Sequence, residues 1–92
     1  MLTAQQIEER ILEFLHKEVL EPEVTIGRQD DLLTGAVLDS IGAIRLAAFL
    51  EKQFEIDMQA SGFVVENFQN VEVLARYVLR SVQGGGESSA GA

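Results

Sequence analysis

Apolar residues recur at helical spacing in three separate stretches of this 92-residue chain, and nowhere do they alternate with polar ones for long enough to make a strand. That periodicity restricts the fold to packed helices. In the first stretch Ile7, Ile11, Phe14 and Leu15 fall on one face. Thr3, with Gln6 three residues on, fits a capping box. Glu13 and Lys17 make a favourable i,i+4 pair. Pro22 disfavours helical geometry in the residue before it, so this helix is predicted to stop near Leu20. The second helix is predicted from about Ser40 to Phe54, capped by Asp39 or Ser40. Ile41, Ile44 and Ala48, with neighbouring Ala47, form one stripe along it, and Leu46, Phe49, Leu50 and Phe54 widen that stripe. Such width belongs to a helix that is central or partly reserved for a partner. In the third stretch Asn70 caps the helix and Val71, Leu74, Ala75, Val78 and Val82 carry the buried face, with Glu72 and Arg76 as an i,i+4 pair.

The connections differ in character. Residues 21–38 read as a long loop punctuated by Gly27 and Gly35, but one dotted with Val24, Ile26, Leu32, Leu33, Val37 and Leu38. A loop of this length and composition is expected to pack across the bundle and seal one end of the core. "FVVENF", 63–68, suits a short helical turn that plugs Phe63 and Phe68 into the interior. The expected fold is therefore all-α: a small four-helix bundle with three longer helices, one short helix and a long first loop. Residues 1–83 form its single domain, and "GGGESSAGA", 84–92, is a flexible Gly/Ser/Ala tail.

Composition narrows the partners. The formal charge of −8 disfavours phosphate backbones and anionic lipid, so nucleic acid and membrane surface are poor partners. Two readings of the acidity stay open: complementarity to a basic protein surface, or solubility. The chain has no cysteine, so any thiol chemistry uses a thiol brought from outside. No apolar run approaches the roughly 20 residues of a membrane span. "MLTAQQIEER" lacks the basic-then-apolar signature of a signal peptide, which makes the cytoplasm the expected location.

Conventional catalysis finds few parts. The single histidine, His16, lies near the end of the first helix beside Lys17, where a solvated or dipole-satisfying role suffices. No G-x-S-x-G elbow surrounds Ser40, so a hydrolase using Ser40 and His16 is a weak rival. Asp30 and Asp31 are adjacent carboxylates, but "DDLLTGAVLDSI" lacks the third-position ligand and terminal Glu of a calcium loop; capping a turn is the plainer role. What remains is Asp39-Ser40 at a helix start, an ordinary pair of helix-capping residues on spacing alone.

The wider context carries more. The order is a first helix, an apolar-dotted loop, "LLTGAVLDSIG", a long helix ending "FLEKQFEI", and then "ENFQNVEVLARYV". It resembles the acyl carrier protein family over about residues 5–82, in particular the discrete carriers of acyl and aminoacyl groups. The resemblance implies that Ser40 accepts the 4′-phosphopantetheine of coenzyme A from a phosphopantetheinyl transferase. The thiol of that covalent arm carries cargo as a thioester. It implies that Asp39 engages the transferase and that Ile41 helps dock partner enzymes. A loading ligase or acyl- or aminoacyl-transferase, and downstream biosynthetic enzymes, follow as partners. The protein itself is then not an enzyme, because activation is stored in the thioester. A serine at a helix N-terminus suits this, since the helix dipole favours an added phosphate.

The departures from the family are informative. Acidic residues soon after the serine and a turn later form a recognition surface in many members; here those positions hold Gly42 and Arg45. From Asp39 to Phe54 the acids Asp39 and Glu51 are balanced by Arg45 and Lys52. Ile41, Gly42, Arg45 and Glu51 are the expected docking residues, with Gly42 letting a partner approach the arm closely. "DSIG" and "DSMG" stretches occur in D-alanyl carrier proteins and in stand-alone carriers of specialised biosynthesis. The resemblance thus favours a dedicated standalone carrier. The alternatives are a fatty-acid-synthesis acyl carrier, or a small helical interaction module in which Ser40 is only a helix cap.

Overall fold

The computed structural model describes residues 2–33, 38–58 and 64–90, apart from the side chains of Val65 and residues 84–90. All the regular structure among them is helical. Helix α1 spans Ala4–Phe14 and runs on into a π-helical turn, Leu15–Val19. Helix α2 spans Ser40–Phe54, a 3₁₀ turn covers Val65–Phe68, and α3 spans Val71–Ala90. The short helix expected over 63–68 is thus a single 3₁₀ turn, and Phe63 lies outside the described residues. The helical backbone of α3 continues over residues 84–90, the stretch read from its composition as a tail.

Helix α1 starts where its capping box requires. The Gln6 N–H donates to the Thr3 hydroxyl at 3.2 Å, and the Thr3 N–H donates back to Gln6 Oε1 at 2.9 Å. Thr3→Ala is expected to cost about 1 kcal/mol, read as a fall in the thermal midpoint by circular dichroism. The Glu13–Lys17 pair forms at 3.0 Å, and α1 gives way to extended backbone at Leu20, two residues before Pro22. At the start of α3 the Val73 N–H donates to Asn70 Oδ1 at 2.8 Å, so Asn70 is the cap.

The core joins all three helices. Ile7 and Ile11 of α1 and Leu15 of the π-helical turn meet Leu46 and Leu50 of α2 and Val71, Leu74, Ala75 and Val78 of α3, all fully buried. Phe14 is only half-buried and stacks on Phe49, ring centroids 4.3 Å apart, which ties α1 to α2. Two expectations about faces fail. Val82 is exposed, because the core ends at Val78 and one further turn of α3 has nothing to cover it. Ile41, Ile44 and Ala48 face outward, and the buried side of α2 is instead Gly42, Leu46 and Leu50.

The first loop seals the bundle as expected, with Ile26, Leu32 and Leu38 buried while Val24 and Leu33 stay exposed; Val37 lies outside the described residues. What holds the loop down is not apolar contact alone. The Arg28 guanidinium forks onto Glu8 of α1 at 2.8 and 3.0 Å and reaches Glu72 of α3 at 3.1 Å. Glu72 also accepts from Gln29 at 3.2 Å, so it is spent on the loop and the expected Glu72–Arg76 pair does not form. Backbone bonds from Glu72 to the Arg28 carbonyl and from Leu32 to the Gln69 carbonyl, both 2.9 Å, complete the staple. The Glu8 hydrogen bonds, reinforced by Glu72 against a smaller opposing effect of burial, raise the Arg28 pKa above the ordinary arginine value. The guanidinium is therefore a permanent cation at this junction.

Candidate functional site

The sealed loop delivers the chain to α2 at a defined point. Leu32 Ile26 and Leu38 are anchored in the core, and the Leu38 N–H donates to the Leu32 carbonyl at 2.9 Å. The next residue is extended, with φ −88° and ψ −177° at Asp39, and α2 begins immediately after it. Asp39 is the cap. Its Oδ1 accepts from the Gly42 N–H at 2.7 Å and its carbonyl accepts from the Ala43 N–H at 2.8 Å. A carboxylate here also complements the positive end of the helix dipole.

Ser40 is accordingly the first residue of the helix rather than its cap. It is exposed, and its hydroxyl has no hydrogen-bond partner among the described residues. The N–H groups of Ser40 and Ile41 are likewise without acceptors among those residues, as expected for the first turn of a helix. The local chemistry is a nucleophile-grade oxygen on display beside two outward N–H donors and an apolar groove. That groove encloses about 370 Å³ and is lined by Leu33, Leu38, Asp39, Ser40, Ala43, Ile44, Val64 and Phe68, with Asp39 its one charged residue. Around it Ile41 is 68% exposed, Ile44 57% and Val64 43%, a concentration of large apolar surface that the core does not require.

The other residues singled out from the sequence separate into two groups. Ile41 faces solvent beside Ser40. Gly42, Arg45 and Glu51 have partners within the chain. Gly42 is buried, and a Cβ placed there would lie 3.1 Å from Asp39 Oδ1, 3.1 Å from Leu38 Cδ1 and 3.3 Å from Val19 Cγ1. The close approach that its missing side chain allows is internal, which corrects the expectation of a partner reaching in at this point. Arg45 Nη2 lies 3.6 Å from Glu18 Oε1, both side chains about half exposed. The Glu51 carboxylate accepts from the Met58 N–H at 2.8 Å, holding the chain as it leaves α2 past Glu55, whose backbone is left-handed at φ 56°.

His16 offers Ser40 no base. Its Nε2 accepts from the Ile26 N–H at 3.2 Å, which pins the loop to the π-helical turn. Asp30 and Asp31 do cap turns: Asp30 Oδ2 accepts from the Gly27 N–H at 2.8 Å and Asp31 Oδ1 from the Leu33 N–H at 2.9 Å. Val64 lies in the 63–68 turn, whose residues are also expected from the sequence to contribute to docking, whereas Leu33 and Val19 carry no such expectation. Nothing local marks them, since each acquires its place only when loop, 3₁₀ turn and π-helical turn converge on the start of α2.

The helical bundle thus presents an exposed serine, without an internal hydrogen-bond partner, at the N-terminus of α2. The family model described as the phosphopantetheine attachment site matches residues 5–78, and the chain belongs to this family of phosphopantetheine-binding carrier proteins. It is 32% identical over 72 residues to the D-alanyl carrier protein of Streptococcus uberis (strain ATCC BAA-854 / 0140J), an alignment covering 78% of this chain and 90% of that one. The chain is thus a carrier of acyl or aminoacyl groups on covalently attached 4′-phosphopantetheine. Family members are not themselves catalytic. No helix among the described residues is long and apolar enough to cross a membrane.

Proposed function

We propose that Ser40 is the attachment site and that the protein is a dedicated, standalone carrier of the D-alanyl type. The observation that carries the site is the exposed Ser40 hydroxyl, unpaired at the start of a helix whose capping is done by Asp39. Asp39 keeps the first turn wound and leaves Ser40 Oγ pointing at no internal partner, so the oxygen is free for a phosphopantetheinyl transferase. The Ser40 and Ile41 N–H groups suit the phosphodiester that results. When bound, the prosthetic group supplies the thiol that this cysteine-free chain lacks. The chain then acts by presentation only, which makes it a non-enzyme, and it works in the cytoplasm.

The aminoacyl reading draws on the likeness to a D-alanyl carrier protein and on the neutral, apolar face of α2. Arg45 is balanced by Glu18 and Glu51 is turned inward, so the exposed docking surface is led by Ile41 and Ile44. A loading ligase and downstream transfer enzymes meet the carrier there. The short 3₁₀ turn serves as the fourth element of the bundle and forms one wall of the groove through Phe68.

Intact mass measured after incubation with coenzyme A and a broad-specificity transferase is expected to rise by one phosphopantetheinyl group. Competitive loading of the holo protein with D-alanine, fatty acids and aryl acids by their cognate ligases is expected to favour D-alanine. Preferential capture of a fatty acid would instead make it an acyl carrier of lipid synthesis. Residues 1–83 constitute the carrier domain, so a chain lacking 84–92 is expected to unfold at the same temperature and to be modified at the same rate.

A further inference from the structure

Gly42 is an odd choice for the first turn of a long helix. Glycine there weakens the helix by up to about 1 kcal/mol relative to alanine. Its φ is not in the left-handed region that favours glycine. Conformational freedom is therefore not the reason for it. Contact is. Three atoms from two segments crowd the place where a Cβ would stand: Asp39 Oδ1 and Leu38 Cδ1 of the chain entering α2, and Val19 Cγ1 of the π-helical turn. Each is closer than an ordinary van der Waals contact.

The crowding converges on one atom that matters. Asp39 Oδ1 is the acceptor of the Gly42 N–H, at 2.7 Å. A methyl group on residue 42 pushes on the same oxygen that the amide of residue 42 holds. The cap cannot relax without moving Asp39, and Ser40 is the next residue. The π-helical turn matters in the same way, because it brings Val19 beneath this turn and sets Glu18 against Arg45 one turn later.

We propose that Gly42 is a positioning residue for Ser40: it lets the first turn of α2 seat against Val19 and Leu38 with the Asp39 cap intact, and so fixes how the hydroxyl is presented for modification. This rests on Ser40 being the attachment site. Gly42 itself is buried and touches no incoming enzyme; it acts through Asp39 and the backbone.

The test measures transferase kinetics by intact mass on wild type, Ser40→Ala, Gly42→Ala, Gly42→Val and the Gly42→Ala/Val19→Ala pair. Wild type modified and Ser40→Ala unmodified establishes the attachment site; failure of that arm overturns the site assignment and the role of Gly42 with it, whereas a failure confined to the Gly42 variants overturns only the latter. Given the site, Gly42→Ala is expected to stay folded yet lose several-fold in kcat with KM little changed, and Gly42→Val to lose roughly a hundredfold, the order expected of an ångström-scale misplacement. Amide hydrogen exchange at residue 42 is expected to quicken as its bond to Asp39 loosens. Val19→Ala, which frees one of the three contacts, is expected to restore part of the Gly42→Ala rate. A Gly42→Ala protein that is more stable than wild type, with an unchanged kcat and unchanged exchange at residue 42, would overturn the proposal. If the Gly42→Val protein fails to fold, the alanine variant and its Val19→Ala rescue still decide.

Discussion

Ser40→Ala is expected to abolish phosphopantetheinylation completely while leaving stability within about 0.5 kcal/mol of wild type. The two halves of that expectation come from different observations. The hydroxyl is exposed and makes no internal hydrogen bond, so removing it strips nothing from the fold. Alanine is also the best helix former for the first position of α2. The loss of modification follows from the proposal that Ser40 is the attachment site, which is the exposed serine at the start of α2. Asp39→Ala supplies the contrast. It removes the acceptor of the Gly42 N–H and a carboxylate at the positive end of the helix, which together cost about 1–2 kcal/mol. The pair of variants therefore separates the cap from the acceptor: one unfolds earlier and is modified poorly, the other unfolds normally and is not modified at all. Thermal unfolding and intact mass on the same samples read both. Were Ser40→Ala to carry the stability loss and Asp39→Ala none, the roles drawn here from the capping geometry would be reversed.

Arg28→Met is expected to lower the thermal midpoint by roughly 5–10 °C, the largest effect of any surface substitution in the molecule. The side chain is half exposed, but its partner is not: the Glu8 carboxylate is 8% exposed and takes both of its near hydrogen bonds from this guanidinium. Removing the cation leaves a buried negative charge with no other donor in hydrogen-bond contact. The exposure of Arg28 itself places the effect below that of a fully buried pair. Arg28→Lys is expected to recover only part, because an ammonium cannot reproduce the planar fork. The Glu8→Gln/Arg28→Met pair is expected to be more stable than Arg28→Met alone, since no charge is then left stranded. Exchange at the Leu32 and Leu38 amides tracks the same staple, as both belong to the loop it secures. A midpoint for Arg28→Met equal to wild type would mean that apolar burial of Ile26, Leu32 and Leu38 holds the loop unaided.

Local rules account for most of the fold. The capping box at Thr3, the Asn70 cap, the end of α1 before Pro22 and the bounds of α2 all involve residues within four positions of one another, so they are legible wherever the right residues stand in a row. The ion pairs show where that logic stops. Glu13–Lys17 is local and forms, whereas Glu72 abandons Arg76 for Arg28, 44 positions away, because the loop brings the Arg28 guanidinium and the Gln29 amide against it. Period alone also misjudged α2. Its apolar residues cover so much of the circumference that the pattern does not say which side faces in, and only the packing of Leu46 and Leu50 against α1 and α3 turned Ile41 and Ile44 outward.

By itself the sequence determined that this protein is helical, that one helix starts at Asp39-Ser40, and that the motif there resembles a carrier's attachment site. Those follow from periodicity, capping chemistry and a run of neighbouring residues, all of which act over a few positions. Only the tertiary structure decided that Gly42 seats inward against Val19 while Ile41 and Ile44 face out, and that Arg28 straps the loop to two helices. Each of those depends on which distant segments share a volume, and side-chain spacing along a chain carries no information about that.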